Sequence, residues 1–166
     1  GGGSGGHVMP ALTLISHLDN YKIEYIGGRN GIERSLVKDK VDTYYPIFTG
    51  KLRRYFSLQN FFDVFKIMIG LIQSFQILAL RPANTIVFST GGFVSVPVVI
   101  AAWLTGKKIF IHEQTSRVGL ANKIASKFAT TIFVSFEESL NFFPRDKTEL
   151  SGYPVRETCF SPIPSS

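Results

Sequence analysis

Apolar and polar positions repeat along this chain with two periods, and the switches between them outline alternating strands and helices. Short β-branched and aromatic runs at Lys22–Ile26, Thr43–Phe48, Thr85–Phe88, Lys108–Ile111 and Thr131–Val134, with a shorter one at Glu149–Ser151, read as strands. Between them, helical patterns cover Pro10–Leu18, Gly31–Lys38, Ser57–Leu80, Ser95–Leu104, Leu120–Phe128 and Glu137–Phe142. Strands separated by crossover helices pair in parallel, so the expected fold is α/β, a doubly wound parallel sheet. Ligands of such sheets bind in the loops at the carboxyl ends of the strands. No strand pattern precedes the glycines of residues 1–6, so the sheet is expected to lack its first strand and to carry two unpaired edges inside the domain. One domain over residues 1–156 is expected, with the proline-containing residues 157–166 read as a truncated linker.

Composition narrows the classes. At 166 residues, 45% hydrophobic and 18% charged, the chain suits one globular domain rather than disorder. A formal charge of +6 favours anionic partners without choosing among nucleic acid, anionic lipid and phosphorylated small molecules. No nucleic-acid motif accompanies that charge, and none is expected to bind. Cys159 is the single cysteine, which excludes an internal disulfide. His7, His17 and His112 lack ligand spacing, so no metal and no cofactor are expected.

Three polar constellations fall where strand-to-helix loops belong. Gly1–Gly6, interrupted by Ser4 and followed by His7 and Pro10, has the glycines that let a backbone approach a phosphate and a helix terminus that offers free N–H groups. The same string could equally be a flexible linker. Ser89-Thr90-Gly91-Gly92-Phe93 repeats the strand, glycine turn and helix order, and two such turns on one sheet would converge on one crevice. His112-Glu113-Gln114-Thr115 ends a strand, where His112 and Glu113 point to opposite sides if the strand continues. A capping loop with Thr115 or Ser116 as N-cap is the plainer alternative.

The longest apolar stretch, Phe61–Leu80, contains Asp63, Lys66, Gln73 and Gln76 and is too polar to read as a spanning helix. Within it and just before, Leu58, Phe61, Phe62, Phe65, Met68, Ile69, Ile72 and Phe75 recur at i, i+3, i+4 and i+7, with Lys51, Arg53, Arg54 and Lys66 near its start. Such a stripe either packs on the sheet or rests on anionic lipid. Val64, Ile67, Leu71 and Leu78 lie off it, so the helix is apolar on more than one side.

Taken in order, Gly2–Pro10, Tyr25–Glu33, Gly50–Tyr55, Gly91–Pro97, His112–Gln114, Gly119–Lys123 and Gly152–Arg156 resemble the MurG-type transferases of glycosyltransferase family 28 over almost the whole chain. The resemblance implies the amino-terminal, acceptor-binding half of a GT-B enzyme, Rossmann-like in fold, with the carboxy-terminal donor-binding domain absent and the chain inactive alone. It implies transfer of N-acetylglucosamine from UDP-N-acetylglucosamine to undecaprenyl-diphosphate-linked muramoylpentapeptide, in peptidoglycan synthesis. His7 and Glu113 are then the base candidates. Gly2, Gly3, Ser4, Gly5, Gly6, Gly91, Gly92, Phe93, His112, Gln114 and Thr115 are the acceptor and diphosphate candidates. The resemblance also favours contact of Leu58, Phe61, Phe62, Phe65, Lys51, Arg53 and Arg54 with an anionic membrane surface, at the cytoplasmic face of the bacterial plasma membrane. The chain departs from the family pattern: Ser4 replaces a usual Thr, Phe93 a common Tyr, Thr115 a common Asn and Tyr153 an Asn.

Two other readings remain. A membrane-docking subunit could have its donor domain on another polypeptide. A simple nucleotide-binding domain would need an acidic residue ending the second strand, and Tyr25-Ile26-Gly27-Gly28 offers none there.

Overall fold

The computed structural model describes Gly2, residues 5–50 and residues 58–154, the side chains of residues 58–62 excepted. In chain order the elements are α1 (Gly5–Ile15), β1 (Glu24–Gly28), α2 (Glu33–Val37), β2 (Thr43–Ile47), α3 (Leu58–Ala79), β3 (Ile86–Ser89), α4 (Ser95–Leu104), β4 (Lys108–Glu113), α5 (Leu120–Ala125), β5 (Thr131–Val134) and β6 (Thr148–Leu150). Two 3-10 segments, Glu137–Phe142 and Arg145–Lys147, lie between the last two strands. The segment 157–166, read as a linker, falls outside the described residues.

All strand pairs are parallel, and they form two sheets: β1 with β2, and β3-β4-β5-β6 in sequence order. Among the described residues no strand joins β1 to β3, so the sheet is broken in its interior as expected. Side chains bridge the break instead. Arg81 donates to Glu24 at 2.5 Å and to the Tyr45 hydroxyl at 2.5 Å, and Ile26 packs against the core of the larger sheet.

That larger core draws Val87, Ile109, Ile111, Ile132 and Val134 from the strands and Leu78, Val99, Ala101, Ala102 and Ala125 from the helices. Alternation along each strand sets this face, because successive side chains point to opposite sides. A smaller cluster of Val8, Ala11, Leu12, Tyr25 and Val37 seats α1 and α2 against β1.

Helix α3 shows which of its apolar sides packs inward, a choice the pattern left open. Its inward side is Gly70, Ser74 and Leu78, flanked by the partly buried Ile67 and Leu71. Gly70 lets the helix approach the β2 end, since a Cβ there would lie 2.2 Å from the Phe48 carbonyl oxygen. The residues of the longer stripe, Phe65, Met68, Ile69, Ile72 and Phe75, face solvent, joined by Val64. Leu58, Phe61 and Phe62 are outside the described side chains, and Lys51, Arg53 and Arg54 outside the described residues. No described helix is long and apolar enough to cross a membrane.

Candidate functional site

The first glycine segment is less a loop than its composition implies. Helix α1 starts at Gly5, so Gly5 and Gly6 form its first turn, where backbone N–H groups have no carbonyl within the helix to bond. Pro10 accordingly lies inside the helix rather than at its first position, and it has no N–H to give the Gly6 carbonyl. Gly3 and Ser4 lie outside the described residues.

The second glycine segment follows β3. Gly91 and Gly92 have φ of +89° and +86°, the left-handed region in which a Cβ strains the backbone. The two segments interlock: the Gly2 N–H donates to the Gly91 carbonyl at 3.4 Å, and a Cβ on Gly92 would lie 1.9 Å from the Gly2 carbonyl oxygen. Ser95 fixes the turn by donating its hydroxyl to the Gly92 carbonyl at 2.6 Å. A Cβ on Gly91 would come within 3.1 Å of the Asn122 amide and 3.2 Å of His7 Nδ1, so the turn is walled by these two side chains.

The third segment ends β4, which runs two residues past its expected end and therefore sends His112 and Glu113 apart. Glu113 is 2% exposed, and its carboxylate is fully engaged. Oε1 accepts from the Thr115 N–H at 3.0 Å and the Thr115 hydroxyl at 2.7 Å, and Oε2 from the Asn122 amide at 3.0 Å and the Gly119 N–H at 3.2 Å. The N-cap of α5 is Gly119, not Thr115 or Ser116, so no side chain caps the first turn, and Glu113 accepts the N–H of Gly119 itself. His112 turns toward the chain's later part: its Nε2 lies 3.2 Å from the Gly152 carbonyl and 3.3 Å from the Ser135 hydroxyl. Burial pushes its pKa below the ordinary histidine value, against the opposing pull of the Gly152 carbonyl and the Glu113 charge.

His7 binds across the break in the sheet. Its Nδ1 lies 2.9 Å from the Thr90 carbonyl and 2.5 Å from the Gln114 amide, while the Thr90 hydroxyl donates to the His7 carbonyl at 2.5 Å. His7, Gly92, Phe93, Glu113 and Asn122 line a pocket of about 220 Å³. A larger hollow of about 580 Å³ is edged by Glu137 and Glu138, whose charge repels an anion. No group of three or more His, Cys, Asp or Glu placed to hold a metal occurs among the described residues.

Of the residues singled out from sequence, His7, Gly91, Gly92, Glu113 and Gln114 meet here, with Gly2, Gly5 and Gly6 at the helix terminus and Phe93 on the wall. His112 contacts Gly152 instead, and Thr115 sits exposed on the loop. Three residues that carry the arrangement had no assigned role. Thr90 holds His7, and Asn122 holds Glu113 while leaving its own Oδ1 buried without a partner. Glu33, fully buried, accepts the Gly28 N–H at 2.8 Å and packs against Gly2 and Gly31. Asn122 had a legible signal: an amide on the inward face of α5 between Ala121 and Ala125 must find partners.

Comparison with known proteins agrees with the fold. The model of the glycosyltransferase family 28 N-terminal domain matches residues 1–134. A UDP-N-acetylglucosamine–N-acetylmuramyl-(pentapeptide) pyrophosphoryl-undecaprenol N-acetylglucosamine transferase of Bacillus thuringiensis is 48% identical over 160 residues, 95% of this chain and 45% of the relative. One of that name from Clostridium tetani is 44% identical over 162 residues, 96% of this chain and 45% of the relative. The chain thus spans about half the length of the curated relatives it matches. The crystal structure of Acinetobacter baumannii MurG superposes with a TM-score of 0.74 at 27% identity, covering 98% of this chain and 46% of that one. A UDP-N-acetylglucosamine 2-epimerase, at 13% identity and a TM-score of 0.61, shares the fold.

Proposed function

We propose that this chain, which belongs to glycosyltransferase family 28 by its amino-terminal domain, is the acceptor-binding part of an N-acetylglucosamine transferase acting on undecaprenyl-diphosphate-linked muramoylpentapeptide. The observation that carries the reading is the interlock of the two glycine segments beside the α1 terminus. The N–H groups of Gly5 and Gly6, which have no carbonyl within the helix to bond, the α1 dipole and the left-handed Gly91-Gly92 turn form an anion site of the kind a diphosphate fills.

In the reaction, the muramoyl 4-hydroxyl oxygen bonds to C1 of N-acetylglucosamine. The C1–oxygen bond to UDP breaks, and its electron pair leaves with UDP. The hydroxyl proton passes to His7, which lines the pocket. Glu113 is not the base in this scheme: four donors already occupy its two oxygens, so it holds the loop and Asn122 in place. UDP-N-acetylglucosamine belongs to a donor domain, with residues 1–156 as the acceptor domain and the following residues leading to the donor domain. The outward face of α3 rests on anionic lipid at the cytoplasmic side of the membrane, where Phe65, Met68, Ile69 and Ile72 enter the headgroup boundary beside Lys66. That placement keeps a lipid-anchored acceptor within reach.

The test is equilibrium binding of a short-chain, water-soluble polyprenyl-diphosphate-muramoylpentapeptide to the purified chain. Binding should weaken at least about tenfold when the diphosphate is replaced by a neutral linker, the scale of losing charge-assisted hydrogen bonds. Equal affinity for both ligands would refute the reading.

A further inference from the structure

The hydrogen-bond donors around His7 do not balance in the orientation drawn, and resolving the conflict assigns a role to Gln114. His7 Nδ1 faces the Thr90 carbonyl oxygen at 2.9 Å and the Gln114 Nε2 at 2.5 Å. An imidazole nitrogen either carries a proton and donates, or carries a lone pair and accepts. The Thr90 carbonyl is part of the main chain and can only accept. If Nδ1 accepted from Gln114, its lone pair would face the carbonyl lone pairs at 2.9 Å, a repulsive contact. Turning the Gln114 amide by half a rotation exchanges Nε2 and Oε1, two ends of nearly the same size and shape. Nδ1–H then donates to two oxygens, those of Thr90 and Gln114. At the amide's other end the exchange breaks no hydrogen bond, since that atom has no partner in the orientation described.

We propose that Gln114 is a positioning residue whose carbonyl oxygen, together with that of Thr90, holds His7 in the Nδ1–H tautomer. The lone pair able to take a proton is therefore on Nε2. Among the described residues both ring contacts are made through Nδ1, and the ring borders the pocket with Gly92 and Phe93. The amide NH2 of Gln114, freed from the ring, is a buried donor pair that suits an anionic or carbonyl oxygen of the ligand. Gln114 is 5% exposed, so its amide cannot satisfy itself with bulk water. The consequence for chemistry rests on the proposed transfer reaction, whereas the tautomer itself does not.

The experiment is long-range proton–nitrogen correlation NMR of the ring nitrogens in the purified, 15N-histidine-labelled full chain, at a pH where His7 is neutral. The expected result is a His7 ring in which Nδ1–H outnumbers Nε2–H by about tenfold or more. In Gln114→Leu the ratio should fall about fivefold, the fold-change of one lost hydrogen bond. In Gln114→Glu, which keeps an acceptor oxygen, it should recover. A wild-type ring dominated by Nε2–H overturns the proposal even if neither variant folds. So does an unchanged ratio in Gln114→Leu. Adding the soluble diphosphate acceptor separates the two proposals: no binding with the Nδ1–H form intact defeats the transferase reading and leaves the Gln114 assignment standing.

Discussion

The strand tips and the outer side of α3 invert the usual order of a globular protein in opposite ways. At the tips, His112, Glu113, Gln114 and Asn122 are polar yet no more than 5% exposed, whereas on α3 Phe65 and Ile72 are apolar yet each 56% exposed. Buried polar groups and contiguous exposed apolar ones are the two departures that carry information about function. They differ in what they demand. A buried polar group gains from being bonded, and the Glu113 carboxylate holds four donors here, so little at the tips can change without cost. An outward apolar residue leaves much of its side chain in water, which the fold does not require of it. The tips should therefore fail by losing stability, and α3 by losing a partner.

The largest effect that would break this contrast is expected at Gly92. Gly92→Ala combines a strained left-handed backbone with a Cβ placed against the Gly2 carbonyl, and should cost about 3 kcal/mol or more in denaturant unfolding. A loss below about 1 kcal/mol would mean the glycine segments are not interlocked. Glu113→Ala should cost about 2–3 kcal/mol, because it strands the Gly119 and Thr115 N–H groups and the Asn122 amide, two of them on the α5 entry. The same denaturation curves measure it.

A smaller effect follows from pH. Burial lowers the His112 pKa, so on acidification the unfolded chain takes up this proton before the folded one does. The stability involved is fully present above the ordinary histidine value of about 6.5. It is lost as pH falls from there toward the lower folded value. The thermal midpoint of the wild type should drop between pH 7.5 and 5.5 by more than that of His112→Gln, which keeps a donor for the Gly152 carbonyl. Equal drops would show that His112 protonates freely.

The smallest effect on stability belongs to α3. Replacing Phe65, Met68 and Ile72 together with Ser should change unfolding free energy by no more than about 0.5 kcal/mol per site, yet sharply reduce co-sedimentation with phosphatidylglycerol vesicles. Destabilisation by several kcal/mol would show that this face is packed after all.

Much of this was legible in the chain. β5 and α4 stand where the pattern put them, because a short β-branched run or an apolar decamer between turn residues leaves few choices. The two glycine segments and the His112–Thr115 stretch declared themselves by polar residues at strand ends. What the pattern could not give was which of two apolar sides of α3 packs inward. Gly70 and Ser74 decide it, since small residues permit the close approach to the sheet and the neighbouring helix, yet both score as weak positions in a hydrophobic period. Nor could it show that Gly5 and Gly6 are helical, as glycine and Pro10 together argue against a helix that the fold nonetheless begins there. The roles of Thr90 and Asn122 depend on contacts over 83 and 9 residues of sequence, which only the folded sheet brings about.

The central claim is that the two glycine segments together hold one diphosphate, and amide NMR tests it most directly. Titrating the folded chain with a soluble polyprenyl-diphosphate analogue should move the Gly5, Gly6, Gly91 and Gly92 amide signals in one shared, saturable isotherm. Movement of one segment without the other, or of neither while the α3 signals shift, would contradict it.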